Sequence, residues 1–196
     1  GYVLFYNLPY YVANPLEALM VWRGGMAFHG GALGAVLAAW LFCRRRGINP
    51  LVFGDVIATV APIGLFFGRI ANFVNGELFG RHTEVSWGVI FPAGGPLSRH
   101  PSQLYEAVLE GVVLFAITAW LASRPAVRAH PGALTGVFIA GYGIFRTIAE
   151  IYREPDPQLG FLIAQMTMGQ LLSMPMILIG TVLVWWSVAR PGRPSR

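Results

Sequence analysis

A charge-free apolar run extends from Val56 to Phe67 and then meets Arg69, Asn72, Asn75, Glu77 and Arg81 within thirteen positions. No other feature constrains the fold so tightly. Setting a guanidinium at the end of a lipid-length apolar run costs about 2.5–3.5 kcal/mol on insertion scales. A chain that keeps such residues generally uses them. Residues 64–81 (GLFFGRIANFVNGELFGR) therefore read as one wall of a polar site set into a membrane protein.

The rest of the chain agrees. It is 55% hydrophobic and 12% charged, half the charge of an ordinary soluble domain, which is about 25% charged. Its apolar residues come in long blocks rather than in alternation. Five blocks, 26–43, 51–70, 104–122, 133–151 and 166–189, approach or exceed the roughly 20 apolar residues that cross a bilayer. The expected fold class is an all-α polytopic membrane protein, with about five transmembrane helices and a small external head. Residues 1–25, rich in Tyr and Pro, read as an interfacial segment because such aromatics suit the headgroup region. The transmembrane domain is placed at 26–190, the external head at 75–103 and a cytoplasmic tail at 191–196. The chain begins at Gly1 with no initiator Met, so N-terminal material is expected to precede it.

The net charge is +5, and all fourteen basic residues are arginine. Arg44, Arg45, Arg46, Arg124, Arg128, Arg190, Arg193 and Arg196 fall in three short stretches, each directly after an apolar run. That is the pattern by which cytoplasmic ends are marked, and it removes the need for a nucleic-acid partner. Of the nine acids, only Asp55 lies toward the same side. The lone Cys43 excludes a disulfide framework and a cysteine metal cluster. No two histidines have helical ligand spacing, so neither a metal nor a cofactor is expected. The glycine pairs 30/34, 64/68 and 132/136 permit close helix approach and are read as packing.

The topology gathers four polar groups at the non-cytoplasmic ends of different spans. His29 opens the first span, and Arg69 and Asn72 share a face where the second exits. Glu106 and Glu110 begin the third, while Tyr142, Arg146 and Glu150 form one stripe on the fourth. Two arginines at headgroup depth suit phosphate, because the guanidinium fork matches phosphate oxygens and stays charged when partly desolvated. The structural alternative pairs Arg146 with Glu150 and Arg69 with Glu77. The imidazole of His29 is suited to accept a proton near neutrality. His82 and His100 read as hydrogen-bonding groups of the head, and His130 as incidental.

The block GRIANFVNGELFGR (68–81) closely resembles the signature of the bacterial phosphatidylglycerol–prolipoprotein diacylglyceryl transferases. FHGG (28–31), RHPSQLYE (99–106), GYGIFRTIAEIYREPD (141–156) and MGQLLSMPM (168–176) resemble the same family, in the same order. The resemblance implies transfer of the diacylglyceryl group of phosphatidylglycerol to the lipobox cysteine of a preprolipoprotein, with glycerol phosphate leaving. It implies a multi-pass protein of the bacterial inner membrane with its site toward the outer leaflet. On that basis Arg69 and Arg146 would hold the phosphate and Asn72 would orient a headgroup oxygen. Tyr142 and Gly80 would shape the pocket. His29 would take the thiol proton, with Glu77 and Glu150 as alternative bases or as groups that hold the arginines in place. The nucleophilic sulfur belongs to the substrate peptide.

Three departures stand out. Ala71 occupies a position where the family usually has glycine, the head is shorter than in many members, and the family's N-terminal membrane segments are absent from this chain. An anionic-solute transporter or a lipid-binding scaffold is the competing reading. A transporter would more naturally carry paired repeats with broken helices near the midplane, and the sequence has no repeat.

Overall fold

The computed structural model describes residues 28–154 and 167–190, excepting the side chains at 28–30 and 32. The interfacial segment 1–25 and the tail 191–196 lie outside the described residues. The chain divides into two compact units, Gly1–Pro50 and Leu51–Arg196. In the first, α1 (Phe28–Arg46) ends on Arg44, Arg45 and Arg46, cations that suit the negative end of a helix dipole. Gly47 at φ +64° then lets Ile48 donate back to the Cys43 carbonyl at 2.9 Å. That bond belongs to a left-handed cap in which glycine meets no Cβ penalty.

In the second unit, α2 (Pro50–Val74) opens on a proline, where the missing N–H is of no consequence. Its 25 residues reach about 37 Å at 1.5 Å per residue, more than the hydrocarbon core requires. The helix closes at Gly76, φ +67°. There Gly76 donates to Phe73 at 3.0 Å and Glu77 to Asn72 at 3.0 Å. The head follows as turns and isolated antiparallel bridges, Gly80 with Arg153 and Arg99 with both His82 and Val89. Its core is Phe91, stacked 5.4 Å from Phe79 and edge-on to Phe73. Arg99 lies over the Phe79 ring at 4.8 Å and pairs with Glu154 at 3.1 Å.

Three further long helices are described in the unit: α3 (Ser102–Ala122), α4 (Ala133–Glu150) and α5 (Met168–Val188). Residues Ala107–Val113 of α3 form a π-helical stretch. Such stretches are rare and frequent at functional sites. The α4–α5 pair crosses through glycine, since a Cβ on Gly136 would lie 2.7 Å from the Gly180 carbonyl oxygen. No described atom lies within 4 Å of a Cβ built on Gly64 or Gly68, so among the described residues no close approach is made there.

Each of the five expected spans contains a described helix, and among the described residues α2, α3 and α5 are long and apolar enough to cross a membrane. Burial is inverted relative to a soluble domain. Phe67 and Leu178 are 65% and 66% exposed, whereas Gln103, Glu106, Glu110, Thr118, Ser173 and Ser187 are buried. Such a surface matches helices that are long and apolar enough to cross a membrane.

Asp55 fixes one end of this arrangement. Its carboxylate accepts from Gly132 N at 2.7 Å and from Thr135 N and Oγ1, each at 2.8 Å, capping α4 from a neighbouring helix. Asp55→Ala is expected to lower stability by about 1–2 kcal/mol, the upper range for a lost cap. A fall in the thermal midpoint in detergent would register it.

Candidate active site

Where α2 ends, α3 begins and α4 ends, six charged side chains converge. Arg69 Nη1 lies 2.8 Å from Glu106 Oε2, and its Nη2 lies 3.0 Å from Glu110 Oε2. Arg69 Nε also donates to Glu110 Oε2 at 3.2 Å. Arg146 Nη1 reaches the same Glu106 Oε2 at 2.9 Å, while its Nη2 pairs with Glu150 at 2.7 Å. Arg153 Nη1 approaches Glu106 Oε1 at 3.5 Å. Glu106 and Glu110 are 1% and 0% exposed, and Arg69 and Arg146 are 15% and 13% exposed.

The pairing follows from helix geometry. Arg146 and Glu150 are one turn apart on α4, and such i,i+4 pairs face each other. Arg69 meets α3 because Gly111 lets the helices close up, a Cβ there lying 2.7 Å from Phe66 Cβ. Phe66 is one turn before Arg69, and Gly111 follows Glu110. Buried carboxylates are costly unless paired, so the glutamates and arginines hold each other in place.

The pairs are not all formed in the same way. Arg69 makes aligned N–H bonds to Glu110. Arg146 Nη1 sits at ion-pair distance from Glu106 yet has no aligned acceptor, and neither oxygen of Glu106 accepts an aligned bond. Distance and alignment disagree here because one carboxylate oxygen lies between two guanidiniums. The Arg146–Glu106 contact is thus an ion pair without an aligned hydrogen bond.

Asn72 and Glu77 form a second part of the wall. Asn72 Nδ2 donates to Glu77 Oε1 at 2.8 Å, and Asn75 Nδ2 at 3.3 Å. The expected alternative pairing of Arg69 with Glu77 is therefore replaced. The Gly76 cap turns Glu77 back onto the asparagines, and Arg69 takes the glutamates of α3. The loop is strapped to α3, with Gln103 donating to the Glu77 carbonyl at 2.6 Å and Ser102 to that of Leu78 at 3.2 Å. Leu78 between them has φ +57°, an uncommon conformation for a side-chain-bearing residue that persists only where its surroundings enforce it.

Tyr142 is half-buried one turn before Arg146 and within electrostatic reach of Glu110, Arg69, Arg146 and Glu106. Gly80 is pinned between His100, whose carbonyl accepts its N–H at 2.9 Å, and Tyr152. A Cβ there would meet both carbonyl oxygens at 2.5 Å. Gly80→Ala is accordingly expected to cost about 1–3 kcal/mol, as overpacking does, detectable as a lower thermal midpoint. His29 belongs to α1 by its backbone, but its side chain lies outside the described residues.

The histidines of the head serve as hydrogen-bonding groups, His82 with Arg99 at 3.2 Å and His100 with Tyr105 at 3.1 Å. His130 Nδ1 bonds the Ala126 carbonyl in its own turn, at 2.8 Å. Among the described residues no group of His, Cys, Asp and Glu could hold a metal ion. Ala71 is exposed, so its methyl group has room.

Sequence reasoning placed Glu106 and Glu110 at this depth without assigning them partners, and it did not consider Arg153. The signal for the glutamates was present, because two carboxylates four apart on an apolar helix require cations. An apolar cleft of about 190 Å³ adjoins the cluster, lined by Pro62, Ile63 and Phe66 of α2 and Gly111, Val112 and Phe115 of α3.

A family model described as prolipoprotein diacylglyceryl transferase matches residues 1–186. A protein of Azospirillum brasilense named phosphatidylglycerol–prolipoprotein diacylglyceryl transferase is 62% identical over 194 residues, covering 97% of this chain and 72% of the relative. Likewise named proteins of Rhodospirillum centenum and Paramagnetospirillum magneticum are 57% and 58% identical. Each of these two alignments covers 100% of this chain, and 71% and 73% of the respective relatives.

Proposed function

The chain belongs to the prolipoprotein diacylglyceryl transferase family, and on that premise we propose that it moves the diacylglyceryl group of phosphatidylglycerol onto the lipobox cysteine of preprolipoproteins. The thiolate sulfur attacks the diacylglyceryl carbon that carries the phosphate ester. A carbon–sulfur bond forms and the carbon–oxygen bond breaks. Glycerol phosphate departs with the bonding electrons, and the thiol proton passes to a protein base.

One observation carries this reading. Arg69 and Arg146, from different helices, meet at a single oxygen of Glu106 at 2.8 and 2.9 Å. Two adjacent guanidiniums offer N–H groups to one phosphate and offset charge as it develops on the leaving group. Such preorganised electrostatics usually dominates catalysis of this kind. Asn72 orients a headgroup oxygen, and Tyr142 closes the pocket. The adjoining apolar cleft supports acyl chains that stay in hydrocarbon while the headgroup reaches the arginines. Glu150 is paired with Arg146, and His29 is assigned the thiol proton, with Glu77 as the alternative.

The protein would act in the bacterial inner membrane with the head at 75–103 and the arginine cluster toward the outer leaflet. No observation favours transport of an anionic solute.

The test is direct. Intact protein, given phosphatidylglycerol labelled in its acyl chains and a lipobox peptide, is expected to label the peptide. A serine-for-cysteine peptide should stay unlabelled. Label that reached the serine peptide equally, or neither peptide, would overturn the reading.

A further inference from the structure

The arginines at the other end of the second unit share a local arrangement that topology alone does not require. Trp120 is followed four residues later by Arg124, and Trp186 by Arg190. In each pair the guanidinium lies over the indole, at 4.7 Å for Arg124 and 3.4 Å for Arg190. The same spacing recurs within α1, where Arg44 lies 4.9 Å from the Trp40 ring and Arg46 lies 5.9 Å from that of Phe42.

In the second unit the two pairs belong to one end. Ser187 on α5 donates to the Pro131 carbonyl at 3.1 Å, in the connection that leads from Arg124 into α4. Asp55, bound to Gly132, precedes Arg69 by fourteen positions of α2, or about 21 Å at 1.5 Å per residue. This end is therefore remote from the arginine–glutamate cluster.

From these pairs we infer that this end of the second unit binds the headgroups of anionic phospholipids. Arg124, Arg128 and Arg190 are exposed, and among the described residues none is in an ion pair. Both oxygens of Asp55, the nearby carboxylate, are engaged by Gly132 and Thr135. Stacking uses the face of a guanidinium and leaves its in-plane N–H groups free, in the geometry that matches phosphate oxygens. Lysine cannot stack in this way, and the chain contains none among its fourteen basic residues.

A lipid fits this surface better than a nucleic acid or free phosphate. Beside the guanidiniums stand Trp120, 58% exposed, Trp185, 71% exposed, and Val188, 57% exposed. A ligand that joins phosphate to hydrocarbon satisfies both.

The test uses the intact protein in phosphatidylcholine vesicles that contain spin-labelled phosphatidylserine, an anionic lipid other than the proposed substrate. Electron spin resonance then measures preference for phosphatidylserine over phosphatidylcholine at the protein boundary. Each arginine at a membrane surface is worth about a fivefold preference. The R124Q/R190Q double variant should therefore lose about 25-fold of the wild-type preference. R124K/R190K, which keeps charge without stacking, should fall between the two. Wild-type preference in the glutamine variant would overturn the inference. So would inorganic phosphate displacing the labelled lipid as readily from wild type as the lipid itself binds. Lysine equal to arginine would overturn the role of stacking. None of these readouts depends on transferase activity.

Discussion

Replacing Glu106 with glutamine is expected to reduce diacylglyceryl transfer by at least about 100-fold, while the protein still inserts and folds. Glu106 is the point through which three arginines are held, at 2.8 Å from Arg69, 2.9 Å from Arg146 and 3.5 Å from Arg153. Glutamine keeps the shape and removes the charge. Truncating one partner of a buried ion pair costs about 3–5 kcal/mol. Part of that cost would appear as lost stability and part as guanidiniums released from their catalytic geometry. A positional role predicts a split in the kinetics. kcat should fall, while KM for phosphatidylglycerol should stay level or drop, because the cluster gains one positive charge. Steady-state kinetics with phosphatidylglycerol and a lipobox peptide, read beside thermal unfolding, would decide it. A rise in KM with kcat intact would argue that Glu106 does not act through the arginines.

The second large effect concerns the arginines themselves. Arg69→Ala and Arg146→Ala are each expected to lower kcat/KM by about 1,000-fold or more, the scale of losing a principal electrostatic stabiliser. The double variant should be scarcely worse than either single one, since residues that act as a unit are strongly non-additive. Arg69→Lys should not restore activity. Lysine brings a point charge and lacks the fork that spans Glu106, Glu110 and a phosphate. The same kinetic assay checks all four variants. Near-native transfer by Arg69→Ala would remove the phosphate role assigned to it.

How much of the site was legible in the sequence depends on the range of each interaction. Arg146 and Glu150 were readable because the helix itself brings positions four apart together. The shared depth of Arg69 and Arg146 was readable from arginine asymmetry, which sets where each span begins and ends. The bond from Arg69 to Glu110 crosses 41 positions. It rests on Gly111 admitting Phe66, a packing detail with no local signature. Glu77 illustrates the opposite error. Proximity in sequence suggested Arg69 as its partner, but the cap at Gly76 reverses the chain and delivers it to Asn72 and Asn75. The π-helical stretch in α3 likewise leaves no composition signal, since propensity scales do not distinguish it from ordinary helix.

Fold class was readable for a simpler reason: a bilayer demands long apolar segments whatever their partners. Helix crossings were only half readable. Gly136 was marked as a packing residue, and its neighbour Gly180 was not. Gly64 and Gly68 had the same spacing and pack against no described neighbour.

Counted at formal charge, Arg69, Arg146 and Arg153 balance Glu106, Glu110 and Glu150 within one cluster. A neutral multipole of this kind decays quickly with distance and exerts almost no pull beyond a Debye length of about 8–10 Å. On the proposed function, capture of an anionic headgroup there would be a short-range event, decided by fit rather than by long-range steering. Added salt should therefore change kcat/KM for the lipid little.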